Sequence, residues 1–113
     1  MKTVVVLALV AGLASVAAQA PAPKGDPQNG AKVFVKYGCY ECHGREGQGG
    51  AQGPRIAPNP PAVATLIRYV RAPRGEMPAY TEKLLKSDQD LVDIQAYLAS
   101  RPAAKPDKIP PTP

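Results

Sequence analysis

Cys39-Tyr40-Glu41-Cys42-His43 gathers both cysteines of the chain and its only histidine into one short run. A Cys-x-x-Cys-His run is the attachment site of a c-type haem. Each thiol adds across one vinyl group of the macrocycle, and the adjacent imidazole is held below the iron as an axial ligand. The porphyrin and His43 leave one iron position to be filled by a soft donor. Apart from the initiator, the only methionine is Met77, followed by Pro78. The expected cofactor-binding residues are therefore Cys39, Cys42, His43 and Met77, with His43 and Met77 as the metal ligands.

Three other uses of the run compete. Structural zinc takes four closed ligands, mostly Cys and His. Only three such residues exist here, crowded into five positions, so zinc would need a carboxylate from elsewhere. A redox dithiol of the thioredoxin type sits on a strand-helix-strand unit, and no such alternation is visible. A plain disulfide suits an exported chain but leaves His43 and Met77 without a role. One covalent haem accounts for all four residues.

The first twenty residues point to export. Lys2 supplies a positive start, Val4 to Ala18 is uncharged, and Ala18-Gln19-Ala20 offers a small-residue cleavage site. Cuts after Ala17 or Ala18 also fit, because Pro21 is awkward for a signal peptidase. An uncleaved anchor is the competing use, though the uncharged run falls short of the ~20 residues of a spanning helix. The expected location is the periplasm, with no membrane span after cleavage.

What remains is one small domain with a small core, in which a large apolar cofactor would supply much of the burial. Without haem the polypeptide is expected to fold poorly. The whole chain carries a net charge of +5. Its basic residues are dense from Lys36 to Lys86 and include Arg45, Arg55, Arg68, Arg71, Arg74 and Lys83. Nucleic acid is excluded as a partner by export and by the lack of a binding motif. The charge is either a merely soluble surface or a docking patch for an acidic redox protein.

Asp26-Pro27 reads as a helix start, an Asp cap before Pro at the first helical position. Ala31, Phe34 and Val35 form an apolar stripe, and the helix should end near Gly38, at the haem motif. Gly44 to Gly53 is a glycine-rich loop. Its Gly47-Gln48-Gly49-Gly50 lacks the Lys-Ser/Thr ending of a phosphate cradle. Pro54, Pro58, Pro60 and Pro61 hold the next segment extended. Ala62 to about Arg71 is helical, with Val63, Leu66, Ile67 and Val70 on one side, and Pro73 stops it. Met77 then lies on a loop. Ser87 and Asp90 approximate a capping box for a last helix with Leu91, Ile94, Tyr97 and Leu98 inward and Asp88, Asp90 and Asp93 outward. Pro102 ends it. The tail to Pro113 holds five of the fourteen prolines and reads as a strap or a disordered end.

These residues together resemble a small bacterial class I cytochrome c with one haem, from about Asp26 to Ser100. The resemblance implies an all-α cytochrome c fold, three to four helices wrapped around one covalently bound haem, with the first and last helices crossing. Residues 1–20 are then a signal peptide, 21–25 a linker, 26–101 the cytochrome c domain and 102–113 a Pro-rich tail. Gly30, Phe34 and Tyr97 match the glycine and aromatics of the helix crossing. Gly53-Pro54 matches the loop whose Pro carbonyl accepts the histidine Nδ1–H, and Ile56 should lie against the porphyrin. Met77-Pro78-Ala79-Tyr80 resembles the distal-ligand loop. Tyr37 and Tyr40 read as packing residues. A narrower likeness is to the cytochrome subunits of periplasmic dehydrogenases, including p-cresol methylhydroxylase-type flavoenzymes. Its features are widespread among small cytochromes and name no single partner.

The function implied is one-electron transfer by a carrier that is not itself an enzyme, serving a periplasmic dehydrogenase or a terminal oxidase through a basic surface around the haem edge. A dedicated cytochrome subunit of an oxidoreductase complex is the alternative. A gas sensor or peroxidase with an open iron is a rival of another class, and it requires Met77 to be unbound.

Overall fold

Asp26 and Pro27 start the first helix as their chemistry dictates. The Asp26 backbone is extended, its carboxylate accepts from the Gln28 N–H at 2.9 Å, and Pro27 opens the helix. In the computed structural model, which describes residues 23–103, four helices follow one another: α1 (Pro27–Lys36), α2 (Cys39–His43), α3 (Val63–Arg71) and α4 (Asp88–Ala99). Every regular element among the described residues is a helix, so the fold is all-α as expected. The expected signal peptide at 1–20 and nearly all of the tail at 102–113 lie outside the described residues.

The frame of the molecule is the crossing of α1 on α4. A Cβ added at Gly30 would collide with the Asp93 carbonyl oxygen and sit 2.8 Å from the Tyr97 Cβ. Only a residue without a side chain permits that approach. One turn on, the Phe34 and Tyr97 rings meet at 5.6 Å and 51°. The Tyr97 hydroxyl donates to the Arg45 carbonyl at 3.0 Å, tying the crossing to the loop after α2.

This close approach shifts the inner face of α1 from the expected stripe. Gly30, Val33 and Phe34 are buried, whereas Val35 is 53% exposed. The apolar spacing Ala31–Phe34–Val35 is genuine, but the helix turns its glycine to α4, and the buried face centres on that residue. Of the three expected residues, Phe34 is buried, Ala31 packs half-buried against the core and Val35 is exposed.

The last helix needs two corrections. Ser87 is the N-cap of α4, but its side chain makes no capping hydrogen bond. Asp90 instead accepts from Asn29 of α1 at 3.2 Å, so no capping box forms. Asp93 does not face outward: it is buried at 5% exposure. Its carboxylate accepts from the Asp26 N–H at 2.9 Å, Asn29 Nδ2 at 2.7 Å and Gln89 Nε2 at 2.9 Å. Burial by itself would raise this carboxyl, but those three donors outweigh it and hold its pKa below the usual carboxylate value. The same Gln89 reaches the Lys24 carbonyl at 3.1 Å, which lays the segment before α1 along α4.

Candidate haem site

On the short helix α2, residues four apart share a side, so Cys39 and His43 point the same way. Both line a deep apolar cleft enclosed by α3, α4 and the loops between helices. Cys42, one position short of His43, is half-buried and lies outside that lining, its Sγ 3.8 Å from Gln52 Oε1. The cleft holds a cavity of about 280 Å³, close to the lower end of the ~300–1,000 Å³ range of small-molecule sites.

The loop after α2 orients the histidine. Gly47 turns it back, its carbonyl accepting from the Ile56 and Ala57 N–H groups at 2.8 and 2.9 Å. A Cβ at Gly53 would stand 2.8 Å from the Cys42 carbonyl oxygen and 3.1 Å from His43 Nδ1. The bare glycine therefore lets the loop lie against the end of α2, which brings the Pro54 carbonyl to 2.8 Å from His43 Nδ1. A carbonyl oxygen can only accept, so Nδ1 carries the proton and Nε2 keeps its lone pair. A histidine fixed in this way is a more basic ligand. Ile56, expected against the macrocycle, lines the cleft.

Met77 lines the same cleft from the loop that follows α3. That loop is tied at several points. The Tyr80 N–H donates to the Val70 carbonyl at 3.0 Å, and the Tyr69 hydroxyl donates to the Arg74 carbonyl at 3.1 Å. The Tyr80 hydroxyl donates to the Tyr37 carbonyl at 2.8 Å, and the two rings meet edge to face at 6.2 Å. Tyr37 is thus a packing residue, as is Tyr40, which lies against the core under the Arg45 guanidinium.

Arg71 is misplaced by the sequence pattern. Its side chain is only 16% exposed and pairs with Asp88 at 2.6 Å. Its Nη1 donates to the Tyr80 and Leu85 carbonyls. It is a largely covered residue behind the cleft wall, outside its lining, and not part of a basic surface. The only hint of this in the sequence is its position in the last turn of α3, just before Pro73. Arg68, Arg74, Lys83 and Lys86 do remain exposed, and the ion pairs among the described residues, Arg71–Asp88 and Arg101–Glu46, use none of them.

The competing chemistries fit poorly. Among the described residues, no group of three or more His, Cys, Asp and Glu could enclose a metal ion. A redox dithiol needs a thiol of depressed pKa. As a free thiol Cys39 is pushed up to about 11, chiefly by burial and further by the neighbouring Cys42, against the lowering effect of a backbone hydrogen bond. An iron macrocycle fits what is present: an apolar cleft, a thiol in its wall, an imidazole with its Nε2 lone pair free, and a thioether sulfur. The walls are also the core, since Phe34, Leu66, Leu85, Leu91, Ile94 and Leu98 line the cleft and are buried.

Known proteins agree with that fit. The family described as cytochrome C oxidase, cbb3-type, subunit III matches residues 25–98. The menaquinol:cytochrome c reductase cytochrome c subunit of Bacillus subtilis (strain 168) is 31% identical over 74 residues, which cover 66% of this chain and 28% of that protein. The chain thus spans under a third of the length of that relative. No solved structure matches.

Proposed function

Because the chain belongs to the c-type cytochrome family described as cytochrome C oxidase, cbb3-type, subunit III, and so carries a covalently bound haem c, we propose that it is a periplasmic one-electron carrier with His43 and Met77 as axial ligands. In this proposal Cys39 and Cys42 hold the haem through thioether links. The observation that carries it is the shared cleft: His43, held by Pro54 in the tautomer that frees Nε2, and Met77, on a tied loop, line one apolar cavity beside Cys39.

The haem supplies an iron that shuttles between Fe(II) and Fe(III). The protein's part would be to hold His43 and Met77 against the iron in both states, so that little would reorganise as the electron moves. The Met77 sulfur favours the ferrous state over what a second histidine would give and raises the potential. The apolar walls act in the same direction, because they disfavour the additional positive charge of the ferric state. Leaving one edge of the cleft near the surface allows a brief contact with a partner.

For the partner we propose an oxidoreductase that exchanges electrons with a cytochrome c, met through exposed basic residues such as Arg68, Arg74, Lys83 and Lys86. The matching family is named for an oxidase subunit and the Bacillus relative for a reductase subunit. Both names favour an attached or closely docked cytochrome over a peroxidase or gas sensor. A periplasmic dehydrogenase, as electron donor, is a third candidate partner.

The test is carbon monoxide. The reduced wild-type protein should leave CO unbound on mixing, and Met77→Ala should bind it rapidly. Rapid binding by the wild type would replace the carrier with an open-iron sensor or peroxidase, and an unchanged Met77→Ala spectrum would remove Met77 from the iron.

A further inference from the structure

Met77 sits between the end of α3 and the start of α4, with no helix of its own to hold it. Its loop is closed at the base by the Tyr80 N–H on the Val70 carbonyl. The adjacent residue, Arg71, then reaches across the closure. One guanidinium collects three acceptors that lie beyond Met77 in the chain: the Tyr80 carbonyl at 2.9 Å, the Leu85 carbonyl, and the Asp88 carboxylate at 2.6 Å.

We propose that Arg71 is the positioning residue that keeps the Met77 loop closed across the cleft, so that its loss exposes the sixth iron position to small ligands. This rests on Met77 being the sulfur ligand. A solvated Arg–Asp pair would not do this, since surface pairs contribute little. Arg71 differs in two respects. Its side chain is largely covered, and Nη1 serves main-chain carbonyls of a segment outside the helices. Removing the guanidinium leaves those carbonyls short of a donor. Lysine cannot replace it, because an ammonium is a point donor where the site uses a planar fork. The path to the ligand is short: Tyr80 lines the cleft beside Met77, and its hydroxyl is bonded to Tyr37, two residues before the haem motif.

Imidazole binding to the ferric holoprotein reads the effect, because an added imidazole must displace the sulfur. It is followed by loss of the sulfur-to-iron charge-transfer band. Arg71→Ala should bind imidazole roughly 10- to 100-fold more tightly than wild type, the scale of one or two charge-assisted hydrogen bonds. Arg71→Lys should fall between the two, and it serves as the measured variant if Arg71→Ala does not accumulate. Asp93→Asn weakens the α1–α4 crossing, where Asp93 faces α1 and not the cleft. It should lower the melting temperature and leave imidazole affinity as in wild type, which separates positioning from general loosening. Met77→Ala sets the open limit. If Met77→Ala opens the iron while Arg71→Ala and Arg71→Lys bind imidazole as wild type does, the role of Arg71 is overturned and Met77 stands. Equal gains in Arg71→Ala and Asp93→Asn overturn it as well. If Met77→Ala itself binds no more tightly than wild type, the sulfur ligand fails, and the positioning role with it.

Discussion

Where α1 crosses α4, backbone lies on backbone: Gly30 rests on the Asp93 carbonyl, and one buried carboxylate gathers donors from three places in the chain. Across the cleft from this crossing, α3 and the Met77 loop meet the rest of the molecule largely through hydrogen bonds around an apolar space. The crossing makes its closest contacts within the chain, although Phe34, Leu91, Ile94 and Leu98 also wall the cleft, whereas the opposite side is chiefly a frame for something else. The difference implies that cofactor and sequence divide the stabilisation unevenly. The crossing depends on shape within the chain, and the cleft side depends on haem to replace water against Leu66, Val70 and Leu85.

Removing haem should therefore produce the largest change and break the two sides unequally. A Cys39→Ser/Cys42→Ser variant made without bound haem should lose its cooperative thermal transition, because a cavity through so small a core leaves too little burial to offset chain entropy. Amide exchange should be fastest from Val63 to Leu85, with the slowest surviving amides in α1 and α4. Equal exchange on both sides would erase the distinction.

Gly30→Ala attacks the other side. Alanine is the better helix former by ~1 kcal/mol, yet its Cβ would meet the Asp93 backbone. Overpacking against backbone wins, and a net loss of roughly 2–3 kcal/mol is expected. At about 4–8 °C per kcal/mol for a domain of this size, the holoprotein should melt roughly 10 °C or more below wild type, with its haem spectrum unchanged. An unchanged melting temperature would mean that the helices separate freely and that the crossing is not the rigid half.

The sequence showed the chemistry more fully than the surfaces. Cys39, Cys42, His43 and Met77 stood out as candidates because haem chemistry restricts residue type and spacing, and this chain has no spare Cys or His and no Met besides the initiator and Met77. Gly30, Tyr97 and the Pro54 carbonyl followed from resemblance to a family. The sequence pattern failed where polarity stood in for exposure. Asp93 and Arg71 are charged residues at positions that helical spacing left at the surface, yet each is covered because it gathers several partners at once: the Asp26 N–H and two side-chain amides for Asp93, two main-chain carbonyls and a carboxylate for Arg71. The main-chain partners lie far away in sequence, at Asp26 in one case and Leu85 in the other, so no local pattern announces them. Val35 failed for the complementary reason: apolar spacing fixes that α1 has a buried face, while the glycine that α4 needs sets where that face points.

Asp93 offers the mildest and sharpest test, because acid can be used to switch it. Its folded pKa lies below the ordinary carboxylate value of ~3.9, so the unfolded chain binds its proton first as pH falls. The ionised carboxylate therefore stabilises the crossing fully above that ordinary value, and the contribution fades as pH drops through the lower folded value. Asp93→Asn keeps the shape but turns an amide toward the Asp26, Asn29 and Gln89 donors, which should cost ~1–3 kcal/mol near neutrality. The gap in unfolding free energy between wild type and variant should be constant from neutral pH to about pH 5 and then narrow as the wild-type carboxyl is protonated below its usual ~3.9. A gap that widened on acidification would mean that the donors do not hold the charged form. Because the effect belongs to the crossing alone, it should leave ligation across the cleft unaltered at every pH where the protein is folded.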